Sequence, residues 1–180
     1  LKRILRDGDI ISLDVVVEYN GYIGDNAQTV PVGTIAPRTA ELLKITEEAL
    51  SIGIRQAVTG NRIGDISAAV QQATEGAHGY GVVRDLVGHG MGRDLHEDTQ
   101  IPNYGRRGHG PVLREGLVIC IEPMINLGTR DVTYRGDGWT VVTRDGKPSA
   151  HYEHVVLVQK GQAEVLSSFE EIEQAEKANP

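Results

Sequence analysis

The sequence predicts an α+β domain in which a sheet assembled from hairpins is covered by helices, and three observations carry that expectation. A β-rich run at 10–19 meets the pair Asn20-Gly21 and returns through 22–30, the strongest short-range hairpin signal. Two later stretches, 37–58 and 65–76, bring apolar residues back at the helical period. Beyond them, Asp137-Gly138 and Asp145-Gly146 separate further short β-rich runs, so strands outnumber helices. With 22 glycines, one Phe and 39 % apolar residues among 180, the chain suits one turn-rich globular domain with a real core.

Each element has a local reason. Residues 1–9 form an approach to the first strand with Asp7-Gly8-Asp9 as a turn, and the lack of an initiator Met reads as a processed or trimmed chain. The two-residue turn fixes the hairpin register. If Tyr19 faces Tyr22, then Val16 faces Asp25, and Asp14 lies on the same side as Val16. Asp14 and Asp25 become diagonal neighbours with Cα atoms about 7–8 Å apart. The first helix, 37–58, repeats Leu42, Ile45, Ala49 and Ile52; the second takes Asp65 as its N-cap and ends near Gly76. Residues 82–87 form a strand that delivers a glycine-rich loop around His89. After a loop at 101–111 rich in Gly, Arg and Pro come strands at 117–121, 139–144 and 151–158. The acidic residues Glu170, Glu171, Glu173 and Glu176 make 168–180 a solvated terminal helix or frayed tail, distinct from the domain at 1–167.

Composition excludes several classes. The net charge of −7 is spread without blocks and no basic patch exists, so direct nucleic-acid binding is not expected. No apolar run approaches the roughly 20 residues needed to span a bilayer, and no signal-like segment stands before the first strand. A single Cys (Cys120) rules out an internal disulfide framework and fits a reducing, cytoplasmic setting.

The chemistry concentrates in five places. Gly88-His89-Gly90-Met91-Gly92 is followed by His96, seven residues after His89. Asp14 and Asp25 form the hairpin pair, and Glu122 and Glu153 each interrupt an apolar, strand-like run. A carboxylate in a buried strand is costly unless positive charge meets it, so four carboxylates and a histidine together call for a cation, or two. Each residue also has a plainer reading. His89 could be a satisfied loop histidine, His96 could be held by Glu97 and Asp98, and Glu122 beside Pro123 could be a buried, hydrogen-bonded Glu. Asp14 and Asp25 alone decide nothing. His78, His109 and His151 lack such company and are expected to be structural or exposed, while alternation turns His154 away from Glu153. Oxygen-rich ligation with one imidazole suits Mn, Fe(II), Co or a similar divalent ion, and one Cys excludes an all-thiolate zinc site.

Taken in order, Asp14 and Asp25, Gly88-His89-Gly90-x-Gly92, His96-Glu97, Ile121-Glu122-Pro123-Met124 and Ser149-Ala150-x-Tyr152-Glu153-His154 resemble the type I methionine aminopeptidases over about 6–167. The resemblance implies the pita-bread fold, a curved antiparallel sheet covered by helices that prolidases and aminopeptidase P share. It implies two divalent metals (Co, Mn, Fe or similar) held by Asp14, Asp25, His89, Glu122 and Glu153, with Asp25 and Glu153 between them. A metal-held hydroxide would attack the first peptide carbonyl, Glu122 would shuttle the proton, and His96 would hydrogen-bond the scissile amide. Trp139 matches a residue that walls the side-chain pocket, and Leu95 stands where an aromatic residue is frequent. The implied substrates are N-terminal methionine peptides and nascent chains with a small second residue. Family members carry a further segment before the position of Lys2, including a substrate-contacting histidine, so a complementing N-terminal segment is an implied partner. A prolidase-like peptidase, and a catalytically impaired binding module or enzyme fragment of the same fold, are the competing readings.

Overall fold

The hairpin forms in the expected register. β1 (Ile10–Tyr19) pairs antiparallel with β2 (Tyr22–Pro31), Tyr19 opposite Tyr22 and Val16 opposite Asp25. Asn20 (φ 52°) and Gly21 (φ 79°) are both left-handed, as a two-residue turn matching the strand twist requires. Asp7 and Gly8 form a turn in which the Asp9 N–H donates to the Arg6 carbonyl at 3.0 Å. The computed structural model describes residues 3–178; what the sequence suggests for Leu1, Lys2 and the last two residues lies outside them.

The helices are shorter than the periodicity predicts. α1 (Pro37–Ile54) starts on a proline at its first position and stops four residues early. There the chain turns so that Val58 can bridge Gln159, a long-range pairing invisible to a local window. α2 (Ile63–Gln71) continues into a π-helical turn, Gln72–Gly76. Asp65 is not its N-cap: it is the third helical residue, and its carboxylate reaches back to the Arg62 N–H at 2.7 Å. That arrangement satisfies an otherwise unpaired donor from inside the helix.

The strand expected at 82–87 shrinks to β3 (Gly81–Val82), and His89 lies in a strand, β4 (Gly88–Gly90), rather than a loop. Gly88 makes this possible, because a Cβ there would collide with the Cys120 carbonyl. β5 (Glu97–Ile101), β6 (Val118–Ile121), β7 (Met124–Asn126), β8 (Val132–Tyr134) and β9 (Val141–Thr143) follow. The expected strand at 151–158 is broken into β10 (Ser149–His151) and β11 (Glu153–Leu157), with β12 (Glu164–Val165) beyond it. Tyr152 sits at the break, buried, its hydroxyl donating to the Thr29 carbonyl at 2.8 Å.

The main sheet has the order β1-β2-β11-β6-β4-β5, with β12 against β11; β10-β7-β3 forms a second sheet and β8-β9 a separate hairpin. Its strand pairs are antiparallel. The chain leaves the first sheet for the second at Glu122-Pro123 and comes back at Tyr152. Alternation sorts the two faces. Ile119, Ile121 and Val156 join Leu42, Leu50, Ile66 and Val70 in the core beneath the helices. Cys120 and Val155 look the other way, into a small cluster with Met91 that Ile23, Leu95 and Val118 flank. Leu42 and Leu50 are 0 % and 1 % exposed, each contributing roughly 1.5–3 kcal/mol. The helices thus cover one face and leave the other to the carboxylates.

At the C-terminus, α3 (Glu170–Ala178) has no buried residue, but Phe169 just before it belongs to the core. Phe169 stacks on His154 with centroids 4.0 Å apart, and the Ser167 hydroxyl meets His154 Nδ1 at 2.8 Å. Burial drives the His154 imidazole down to about 4. Because the folded chain holds His154 neutral, its stability contribution is full above the unfolded value near 6.5 and is lost as pH falls toward 4. After allowance for solvent screening the loss is about 2 kcal/mol. In the metal-free chain, His154→Gln is expected to flatten the acid limb of the urea midpoint between those pH values; an unchanged limb would assign the acid sensitivity to other groups.

Candidate metal centre

Strands from distant parts of the chain meet over one cavity of about 550 Å³. Asp14 and Val16 reach it from β1, Asp25 from β2 and His89 from β4; Glu122 stands just past β6, and Glu153 opens β11. Cross-strand pairing brings them together: Glu153 lies opposite Ala27, two residues from Asp25, and His154 lies opposite Ile121, beside Glu122. Every residue singled out from the sequence lines this cavity, including His96, Leu95 and Trp139. A second depression of about 530 Å³ beside α2 holds Asp98 and His109, but no converging group of donor atoms falls there among the described residues.

The donors are poorly solvated. Asp25 is 6 % exposed, His89 8 %, Glu122 9 % and Glu153 2 %. His89 Nδ1 lies 3.1 Å from the Gly90 carbonyl, which can only accept, so Nδ1 carries the proton and Nε2 presents its lone pair. That Nε2 is 3.4 Å from Glu122 Oε1 and 4.0 Å from Asp25 Oδ2. Asp25 Oδ1 and Glu153 Oε1 are buried without a hydrogen-bond partner. Burial, then Glu122 and Asp25, push the Glu153 carboxyl up to about 9; burial, then the Asp14 charge, raise that of Asp25. The cluster lacks positive charge, which a divalent cation would supply, and its orphaned oxygens suit one.

Donor atoms converge in two groups, each within 4.8 Å: Asp25, His89, Cys120 and Glu153; and Glu122, His151 and Glu153. Glu153 belongs to both. Cys120 is a weak candidate, since burial and the neighbouring carboxylates push its thiol well up and Sγ is 3.8 Å from the Met91 sulfur. Asp14 lines the cavity from the exposed side of β1 and joins neither group. His96 is outside both as well; its ring meets that of His89 edge-on, centroids 4.4 Å apart. Trp139 stands at the mouth, 87 % exposed, on a turn pinned by Asp137, whose carboxylate accepts the Trp139 N–H at 3.0 Å and the Thr140 hydroxyl at 2.6 Å. Leu95 is half-buried at the cavity wall.

His151 departs from the sequence reading. Expected to be structural or exposed, it lines the cavity with Nε2 3.7 Å from Glu122 Oε2. The available signal was the i, i+2 spacing to Glu153, which puts both side chains on one face of an extended chain. His154, by contrast, packs away from the cavity as alternation predicts.

The chain is 48 % identical over 168 residues to the methionine aminopeptidase of Clostridium acetobutylicum, covering 93 % of this chain and 67 % of that protein. The crystal structure of the Thermotoga maritima methionine aminopeptidase superimposes with a TM-score of 0.89 at 45 % identity, covering 92 % of this chain and 66 % of that one. The chain therefore spans about two thirds of the length of these relatives. The prolidase of Pyrococcus furiosus aligns with a TM-score of 0.72 at 26 % identity over 91 % of this chain, so the architecture is the pita-bread fold that the motifs imply. With the model of metallopeptidase family M24 matching residues 2–160, the chain belongs to that family.

Proposed function

We propose that this chain forms the catalytic part of a metal-dependent aminopeptidase that removes N-terminal methionine from peptides and nascent chains, in a cytoplasmic setting. One observation carries the reading: buried carboxylates with unpartnered oxygens converge with an imidazole on a single cavity. The similarity to methionine aminopeptidases supports the substrate class.

In this reading Asp14, Asp25, His89, Glu122 and Glu153 hold two divalent ions (Mn, Fe, Co or similar), and the membership of Glu153 in both donor groups supports a place between them. Bound there, divalent ions polarise a carbonyl and make water nucleophilic near neutral pH. The chain's own residues supply the rest. Glu122, whose two oxygens face different imidazoles, takes up and returns the proton of the attacking water at a carboxylate oxygen. His96, on the open side of His89, donates a hydrogen bond to the scissile amide as charge develops. Leu95 and Trp139 flank the space for the methionine side chain. Asp14, on the exposed edge, leaves room beside it for the free α-amine.

The test is release of free methionine from Met-Ala-Ser by the 180-residue chain, with added Mn(II) or Co(II) and again with chelator. Chelator-sensitive release is the expected result. No release despite bound metal would reduce the chain to a metal-binding module, and hydrolysis of an Xaa-Pro dipeptide in its place would move the assignment to prolidase chemistry.

A further inference from the structure

His151 is held in place from two directions. Its N–H donates to Thr29 Oγ1 at 2.8 Å, and its carbonyl accepts from the same hydroxyl at 2.9 Å. Across the second sheet it pairs with Met124, two residues beyond Glu122. Its side chain is directed into the cavity, where Nε2 is buried and makes no hydrogen bond. Glu122 offers one oxygen to each of two imidazoles, Oε1 to His89 at 3.4 Å and Oε2 to His151 at 3.7 Å. The second separation is too long for a hydrogen bond. It suits two donors on one cation, which stand roughly 3.0 Å apart at right angles and roughly 4.2 Å apart across the ion for bonds of about 2.1 Å. Glu153 completes the group, 2 % exposed and with Oε1 unpartnered.

From this geometry we propose that His151 Nε2 is a sixth metal donor, completing with Glu122 and Glu153 a site that already has Glu122 as one wall. The inference rests on the metal-centre reading above and goes beyond its five-residue donor set. Its chemical consequence is selectivity. An added imidazole nitrogen favours later divalent metals such as Co(II) and Zn(II) over Mn(II), which is satisfied by oxygen. The site would therefore have a stronger preference for Co(II) over Mn(II) than carboxylates alone would give.

The experiment uses the full 180-residue chain, stripped of metal, beside His151→Gln, which retains the backbone hydrogen bonds to Thr29. Co(II) and Mn(II) affinities are titrated, and the Co(II)-loaded proteins are examined by paramagnetic proton NMR. Wild type is expected to display hyperfine-shifted resonances from two imidazoles, and the variant from one. Co(II) affinity at one site is expected to fall at least roughly 10–100-fold, the scale on which even a supporting residue of a metal site acts, with Mn(II) affinity changed only a few-fold. Resonances from a single imidazole in both proteins, with equal Co(II) affinity, would overturn the assignment while leaving the five-residue centre standing. Failure of wild type to bind either metal would overturn both.

Discussion

Glu122→Ala is expected to eliminate turnover and to weaken metal loading, the largest effect any single side chain here should have. Loss of a group that moves the proton costs about 10²–10⁴-fold by itself, and the loss of a metal donor comes on top of it. Stability should respond in the opposite direction. Without metal, Glu122 raises the Glu153 and Asp25 carboxyls by repulsion, so its removal should leave the metal-free chain as stable as wild type or more so. Saturating Mn(II) or Co(II) should then stabilise wild type by about 2.7 kcal/mol at a hundredfold excess over Kd, worth roughly 5–10 °C for a chain of this size, and stabilise the variant much less. Thermal melts with and without metal, run beside the peptide assay, read both quantities. Full activity in the variant would remove Glu122 from the mechanism, and a large metal-free destabilisation would make it a structural residue.

His96→Ala is the second. Here the metal content should stay at the wild-type level while the rate falls about 10²–10³-fold, the usual cost of losing a hydrogen-bond donor to developing charge. The fall should appear in kcat more than in KM, because a donor aimed at the tetrahedral species does little for the bound substrate. His96 touches the centre only through the edge-on contact with His89 and belongs to neither donor group. Metal analysis alongside the kinetics separates the outcomes: a variant that loses metal would make His96 a ligand, and one with normal kcat would make it a packing neighbour of His89.

The opposed responses expected of Glu122→Ala express a tension within the fold. A protein selected only for stability would not gather carboxylates at 2–9 % exposure and leave some of their oxygens unpaired. Such clusters persist where a ligand compensates them. The helices explain how the domain tolerates this. All the large apolar packing lies on one face of the main sheet, so the strain on the other does not disturb the core.

The sequence alone was enough to single out the carboxylates and the two imidazoles, His89 and His96, that line the cavity, and to set the register of the first hairpin. A two-residue Asn-Gly turn admits one pairing, and strict alternation then puts Asp14 and Asp25 on one side. It was enough, too, to place Glu122 and Glu153 in strand-like runs and to turn His154 away, because those inferences need only local periodicity. Tertiary structure decided the rest. Helix α1 ends at Ile54 because Val58 is taken by Gln159, a partner about a hundred residues away. His89 is in a strand because Gly88 can approach Cys120 across a pairing that no local window contains. His151 enters the cavity because the chain changes sheets at both Glu122-Pro123 and Tyr152, bringing two breaks face to face. Alternation reports which face a side chain takes within one unbroken strand; it carries no information about which distant strand will lie opposite, and that pairing is what assembles the site.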